Sequence, residues 1–169
     1  MKKENIEIER KYVIELPSES DMFAMDNYKS SKIVQIYLES HKGVTHRIRK
    51  RDYGDLVEYS ETKKIRIDSM SAVEEESALT ESEFDRLSKN IRKGSHPLLK
   101  CRHTFIYLGQ LFEVDVYPEW KHSAIMETEL PSRDADVVFP PFIKIIREVT
   151  GKGEYSNSAM SSVFPEEIL

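Results

Sequence analysis

Three charged residues near the N-terminus alternate along a stretch that has the composition of a β-strand. Glu7, Glu9 and Lys11 are each separated by one residue, and the β-favouring residues Ile6 and Ile8 lie between and beside them. A period of two places the three charges on one face of a strand. Two carboxylates there can share a divalent cation, and the ammonium can hold a phosphate oxygen or a water molecule. The segment therefore predicts a face that binds metal and phosphate, with a solvated strand face of mixed charge as the alternative.

Pairs of polar or charged residues recur at the same spacing along the chain. They are Arg47 and Arg49, Thr62 and Lys64, Glu74 and Glu76, Lys100 and Arg102, Glu113 and Asp115, and Glu127 and Glu129. If these strands closed into a barrel with the charged faces inward, cations and carboxylates would line one lumen. Such a lining is costly unless a charged ligand and metal ions neutralise it. A polyphosphate with Mg²⁺ or Mn²⁺ meets that need.

Each group of charges has a predicted role. Five cations are expected to hold the non-bridging phosphate oxygens, the arginines with bidentate geometry: Arg47, Arg49, Lys64, Lys100 and Arg102. Six carboxylates are expected to bind one or two Mg²⁺ or Mn²⁺ ions, the last two as secondary candidates: Glu7, Glu9, Glu127, Glu129, Asp115 and Glu76. The sequence has no glycine-rich phosphate loop, so side chains must hold the phosphate.

The elements that would position these residues are mostly strands. Strands are predicted over residues 4–14, 32–40, 44–51, 56–65, 72–79, 98–108, 111–118 and 122–130. Eight strands suit a closed antiparallel barrel, giving a mainly β protein of the α+β type with a few flanking helices. The capping box from Thr80 to Glu83 predicts a helix over 81–93, and Pro140 with Pro141 predicts a second helix that ends at Gly151. Shorter helices are expected over 18–27 and over 156–163, where the latter would close one end of the tunnel.

Composition is typical of one folded domain spanning residues 1–169. The chain has 39% hydrophobic and 33% charged residues, and its single cysteine, Cys101, excludes an intrachain disulfide. No apolar run approaches the roughly 20 residues of a membrane span, and charge follows the N-terminal methionine, which predicts a cytoplasmic protein without a membrane partner. The net charge of −5 argues against nucleic acid and favours a small anion as the partner. A monomer and a homodimer both remain open.

The ordered series of charged pairs resembles the CYTH family, also called triphosphate tunnel metalloenzymes. Glu7, Glu9 and Lys11 match its Glu-x-Glu-x-Lys signature, and residues 7–11, Glu-Ile-Glu-Arg-Lys, look like that of small bacterial tripolyphosphatases. The later pairs follow the family's order of Arg-x-Arg, Thr-x-Lys, Lys-x-Arg and acidic strands. The resemblance spans roughly residues 4–160. Two departures are Ala72, where the family often has arginine, and Ser156, where it commonly has lysine.

This resemblance implies a reaction and a catalytic pair. Lys11, held by Tyr37, would orient or activate a water molecule that hydrolyses inorganic tripolyphosphate to pyrophosphate and phosphate. Three alternatives stay open: a class IV adenylate cyclase that forms cyclic AMP from ATP, a hydrolase of organic triphosphates such as thiamine triphosphate, and a polyphosphate-binding module without turnover.

Overall fold

The computed structural model describes residues 5–168, which form nine β-strands, three α-helices and one 3₁₀ turn. The strands are β1 (Asn5–Glu15), β2 (Asp26–Leu38), β3 (Val44–Asp52), β4 (Val57–Arg66), β5 (Ser71–Leu79), β6 (Leu98–Tyr107), β7 (Gln110–Val116), β8 (Ser123–Glu129) and β9 (Ile145–Glu148). The helices are α1 (Glu19–Phe23), α2 (Glu81–Ser88) and α3 (Asn157–Met160), and the 3₁₀ turn is Gly153–Tyr155. Within the described range, no helix is long and apolar enough to span a bilayer.

Eight of the strands close into an antiparallel barrel, as the sequence predicts. The order β5-β4-β3-β2-β6-β7-β8-β1 is completed by pairing between β1 and β5. Residues 5–8 of β1 pair with β5, and residues 9–15 pair with β8 on the other edge. The edge of β1 that extends beyond β5 is covered by β9, which pairs with residues 12–14. Closure leaves the barrel strands with paired edges.

The strand register brings charged side chains directly opposite one another across the lumen face. Lys11 lies opposite Glu127 in the β1–β8 pair, and Lys64 lies opposite Glu74 in the β4–β5 pair. Directly opposed residues of an antiparallel pair project from the same face. The local period of two along each strand is therefore converted by the register into a continuous charged lining.

Apolar side chains pack on the outer face and at one end of the lumen. Outside, a cluster that includes Tyr12, Phe105 and Phe112 is covered by side chains from 137–143. At the lumen end, Val13 and Ile125 follow Lys11 and Glu127 at the same two-residue spacing and pack in a second buried cluster. Each fully buried side chain of this size contributes about 1.5–3 kcal/mol.

The predicted helix boundaries need correction. The capping box is confirmed, since Thr80 N donates to Glu83 Oε2 at 2.7 Å and Glu83 N donates to Thr80 Oγ1 at 3.1 Å. However, α2 ends at Ser88, because the chain then turns so that Ile91 forms a bridge with Leu38. The helices over 18–27 and 156–163 are shortened to α1 and α3, and β2 begins at Asp26, well before residue 32.

The helix predicted after Pro140 and Pro141 is wrong. Residues 140–144 contain a turn at 141–142 and are otherwise irregular, and the following isoleucines belong to β9. The uncovered edge of β1 offers backbone hydrogen bonds to this segment, and β-branched residues suit a strand. Tertiary pairing therefore decides between two structures that the local sequence leaves close in energy.

Candidate active site in the barrel lumen

The barrel encloses a cavity of about 650 Å³ that gathers nearly all of the residues selected from the sequence. Its lining includes Glu7, Glu9, Lys11, Tyr37, Arg47, Arg49, Lys64, Glu76, Arg102, Glu127 and Glu129. Lys100 and Asp115 lie within the barrel wall with fully buried side chains. The run of three glutamates is also placed: Glu74 and Glu76 line the cavity, whereas Glu75 is exposed on the outer side.

Asp115 is an acceptor for two of the predicted phosphate-binding cations. It accepts hydrogen bonds from Lys100 Nζ at 2.7 Å and from Arg102 Nε and Nη2 at 2.7 and 2.8 Å. Burial raises the pKa of this carboxyl, but Arg102 and Lys100 outweigh burial and hold the pKa far below its usual range. Arg102 also pairs with Glu113. These contacts orient Arg102 toward the cavity, and the role of Asp115 as a metal ligand stays a prediction.

Lys11 is held by partners other than the expected tyrosine. Its Nζ donates to the main-chain oxygen of Tyr155 and lies 3.1 Å from both that oxygen and Glu127 Oε1. Burial lowers the pKa of Lys11, but Glu127 and Glu9 outweigh it and raise the pKa above its ordinary value. Burial also raises the pKa of Glu127, yet Lys11 and Arg102 lower it to about 2. Lys11 and Glu127 are therefore a charged pair at neutral pH.

The hydroxyl of Tyr37 contacts a residue that the sequence reasoning missed. Gln35 is fully buried, its Nε2 donates to Tyr37 Oη at 2.6 Å, and its Oε1 accepts from Arg49 Nε and Nη2, both at 3.3 Å. Burial, together with Arg47 and Arg102, lowers the pKa of Arg49 to about 10. The signal in the sequence was the two-residue spacing of Gln35 from Tyr37, which places both on one strand face.

Carboxylates also crowd the lining, where Glu74 accepts a hydrogen bond from Arg47 Nη2 at 3.1 Å. Burial and the hydrogen bond to Glu74 raise the pKa of Glu7 to about 8, so these two carboxyls share a proton near neutral pH. Glu127 and burial raise the pKa of Glu9. Lys64 Nζ is 3.9 Å from Glu9 Oε1 and only partly offsets the negative charge. This arrangement favours a bound cation.

The donor set fits Mg²⁺ or Mn²⁺ in combination with a phosphate ligand. Among residues 5–168, no group of three or more acidic, histidine or cysteine side chains converges into a preformed metal site. Mg²⁺ keeps several waters and is usually bound by one or two carboxylates plus substrate phosphates. Pairs such as Glu9 with Glu129, directly opposed on β1 and β8, supply that number of oxygen ligands.

Cations from unexpected positions also line the cavity. They are Arg51, Arg66 and Lys152. Arg66 lies directly opposite Ala72 in the β4–β5 pair, so an arginine does occupy the lumen face beside the position where the family often has one. Ser156 lines the cavity together with Lys152. Arg66 and Lys152 therefore supply positive charge to the lumen although Ala72 and Ser156 stand where the family often has basic residues.

Two features are typical of a site for a polyanion: a closed antiparallel barrel and a lumen in which cations face carboxylates. Comparison with known structures agrees with this class. A solved structure of the inorganic triphosphatase NE1496 is 25% identical, covers 95% of this chain and 97% of its own, and has a TM-score of 0.61. The PH1012 protein from Pyrococcus horikoshii is 15% identical over 75% of this chain and 80% of its own, with a TM-score of 0.55, which shows the fold alone. No protein-family model matches the chain, and no curated protein matches it. The resemblance to the triphosphate tunnel family is confirmed.

Proposed function

We propose that this protein is a metal-dependent hydrolase that converts inorganic tripolyphosphate to pyrophosphate and phosphate. The observation that carries the proposal is the lining of the cavity of about 650 Å³, in which the guanidinium groups of Arg47, Arg49 and Arg102 share one lumen with the carboxylates of Glu7 and Glu9. A polyanion bound together with a divalent cation would neutralise both sets of charges. The similarity to an inorganic triphosphatase over nearly the whole chain supports the same reaction class.

Arginines form the proposed phosphate clamp. Arg47, Arg49 and Arg102 line the cavity, and their planar guanidinium groups match the spacing of phosphate oxygens. Lys64 extends the clamp toward the carboxylates. Lys100 is buried against Asp115 behind the wall and does not line the cavity; burial, together with Arg102, lowers the pKa of Lys100 to about 7, so this group adds less than a full positive charge at neutral pH. These groups would bind and orient a linear polyanion and neutralise charge as the anhydride bond breaks.

The metal ligands in this proposal are Glu7, Glu9, Glu127 and Glu129, with Glu76 and Asp115 as secondary candidates. When bound, Mg²⁺ or Mn²⁺ would supply Lewis-acid neutralisation of the phosphate oxygens. The carboxylates hold the negative charge that attracts the ion, and the proton shared by Glu7 and Glu74 would be displaced as the ion binds.

Lys11 is proposed to orient the attacking water as an ammonium group. Its raised pKa keeps it protonated, and its contacts with Glu127 and the Tyr155 carbonyl fix its position. Because a protonated amine cannot accept a proton, Lys11 would donate a hydrogen bond to water or to a phosphate oxygen. The water oxygen attacks the terminal phosphorus, and the bond from that phosphorus to the bridging oxygen breaks. One water proton stays on the new phosphate and the other passes to a phosphate oxygen of the substrate, so the products are hydrogen phosphate and hydrogen pyrophosphate.

Inorganic triphosphate is favoured over a nucleotide because the lining is charged. Among the described lining residues, Tyr37 is the single aromatic one, and its ring is covered by Arg92 at 5.3 Å. No exposed ring is therefore available in the lumen to stack on a base.

A product-resolved assay tests the proposal. Tripolyphosphate, ATP and thiamine triphosphate are each incubated with the protein and Mg²⁺ or Mn²⁺, and the products are identified by ³¹P NMR. We expect equal amounts of phosphate and pyrophosphate from tripolyphosphate, and loss of that activity in chelator. Formation of cyclic AMP and pyrophosphate from ATP would assign a cyclase instead. Preferential cleavage of thiamine triphosphate would assign an organic triphosphatase, and tight binding without turnover would leave a binding module.

A further inference from the structure

Gln35 occupies a position that no charged-pair pattern selects, yet it joins two parts of the site. It lies on β2, is fully buried, and uses both ends of its amide group. The carbonyl oxygen accepts from Arg49 and the amide nitrogen donates to the hydroxyl of Tyr37. A buried polar side chain whose partners are both lining residues is suited to a positioning role.

The orientation of the Gln35 amide follows from the chemistry of its neighbours. A guanidinium group carries donors and no acceptor, so only the carbonyl end of the amide can face Arg49. The –NH₂ end must then face Tyr37, where it donates to the phenol oxygen. Arg49 therefore determines, through Gln35, which atom of the amide Tyr37 contacts.

This orientation determines where the hydroxyl proton of Tyr37 points. The phenol oxygen accepts from Gln35 Nε2 at 2.6 Å, and the positively charged Arg47 guanidinium, which carries no acceptor, lies nearby. Because neither neighbour can accept the hydroxyl proton, the Tyr37 O–H must be directed elsewhere. Arg92 covers one face of the ring, and Arg92 N donates to the Tyr37 carbonyl at 2.8 Å, so the side chain is fixed with its hydroxyl at the cavity.

We propose that Gln35 is a positioning residue that makes Tyr37 an obligatory hydrogen-bond donor toward the bound anion while it holds Arg49 in the phosphate clamp. This inference rests on the proposed function, because the anion is taken to be the triphosphate. Tyr37 then acts on substrate directly, in addition to Lys11, which contacts Glu127 and the Tyr155 carbonyl.

The test is a double-mutant cycle with two variants of Gln35. Gln35→Glu retains an acceptor for Arg49 but cannot donate to Tyr37, so the Tyr37 proton would turn toward the new carboxylate. Gln35→Leu removes both contacts without adding charge. We expect either variant to lower kcat by about 10-fold to 100-fold, as does Tyr37→Phe, because one donor to a charged transition state is lost.

The combination of variants separates positioning from packing. If Gln35 acts through Tyr37, Gln35→Leu in the Tyr37→Phe background should lower kcat by no more than about 2-fold to 3-fold beyond Tyr37→Phe alone. Gln35→Leu should also raise KM, because Arg49 loses its acceptor. This rise in KM should be seen both with Tyr37 present and in the Tyr37→Phe background. Multiplicative losses of kcat would overturn the proposal, because a residue that only supports the wall acts independently of the tyrosine hydroxyl. Unchanged kcat in Gln35→Glu would overturn it as well.

Two further measurements keep the outcome interpretable. Thermal unfolding checks that the variants fold. If Gln35→Leu does not fold, Gln35→Glu, which matches glutamine in shape, replaces it in the cycle. The same cycle is measured for tripolyphosphate binding by calorimetry without added metal. A protein that binds tripolyphosphate with coupled Gln35 and Tyr37 effects but does not hydrolyse it would refute the proposed function alone, and an active enzyme without coupling would refute this inference alone.

Discussion

Replacing Asp115 with asparagine would remove the charge that compensates two buried cations. The carboxylate accepts three hydrogen bonds of 2.7–2.8 Å from Lys100 and Arg102, whereas an amide offers one acceptor and places a donor against the others. Breaking one side of a buried ion pair costs about 3–5 kcal/mol. Arg102 retains Glu113, so we expect the lower part of that range, about 3 kcal/mol.

This loss is large enough to measure in metal-free buffer. For a chain of this length, about 3 kcal/mol corresponds to a fall in Tm of roughly 6–12 °C. The assay is urea and thermal unfolding at pH 7 with a chelator present. The matched control is Glu113→Gln, which contacts the same arginine from a part-exposed position and should cost about 1 kcal/mol or less.

Acid unfolding gives an independent check with a defined sign. The pKa of Asp115 is lower in the folded chain than in the unfolded chain, so its stabilisation is present above about pH 4 and is lost as the pH falls below that value. Asp115→Asn should lack this part of the acid dependence. Stability within about 0.5 kcal/mol of the wild type would refute the compensating role. A loss seen only when Mg²⁺ is present would assign Asp115 to metal binding instead.

Four other perturbations have defined outcomes. Lys11→Ala should lower kcat by about 10²-fold or more with KM little changed; equal losses in tripolyphosphate binding and rate would make Lys11 a phosphate clamp. Glu9→Gln should weaken Mg²⁺ binding in calorimetry by about 10-fold or more while the circular dichroism spectrum is unchanged, and full activity at low metal would contradict its role. Because folding raises the pKa of Glu7 to about 8, the free energy of unfolding of the metal-free protein should fall as the pH rises from about 4.5 to 8. Urea titrations of Glu7→Gln should show a smaller fall. A pH profile identical to that of the wild type would contradict the shared proton. Gly151→Ala should cost about 2–4 kcal/mol in urea unfolding, because a Cβ there meets a neighbouring side-chain carbon at 2.8 Å and φ is +73°. The control Gly43→Ala, at φ +84° with open space around it, should cost about 1–2 kcal/mol. Equal losses in the two variants would contradict the steric reason.

The lumen lining could be predicted because its signal is local. Alternation along one strand is set by backbone geometry, so the shared face of Glu7, Glu9 and Lys11 follows from their spacing alone. Barrel closure then aligns these faces without a further choice. The acidic run at 74–76 was ambiguous by one residue, and only pairing with β4 decides that Glu75 faces outward.

Other features depend on contacts between distant segments. Residues 145–148 form a strand because β1 has an uncovered edge about 130 residues earlier in the chain, which no window around Pro140 reveals. Gln35 was overlooked because a neutral amide gives no charge pattern. Its importance comes from its hydrogen bonds to Arg49 and Tyr37, which only the folded structure shows. One of the two partners of Lys11 could not be found from residue types, because it is the main-chain carbonyl of Tyr155.

That carbonyl gives position 155 an unusual relation between sequence and activity. Every amino acid supplies a main-chain oxygen, so this contact survives any substitution of Tyr155, and a point-mutation library would register only the packing of its ring. The connection is lost when the segment itself is displaced, and Arg92, which donates to Ser158 and to Ser161 Oγ while covering Tyr37, helps to keep it in place. Insertions or deletions between 150 and 158 should therefore impair catalysis more than any single replacement at 155, and a fusion joined close to this segment would need a linker long enough to leave it seated.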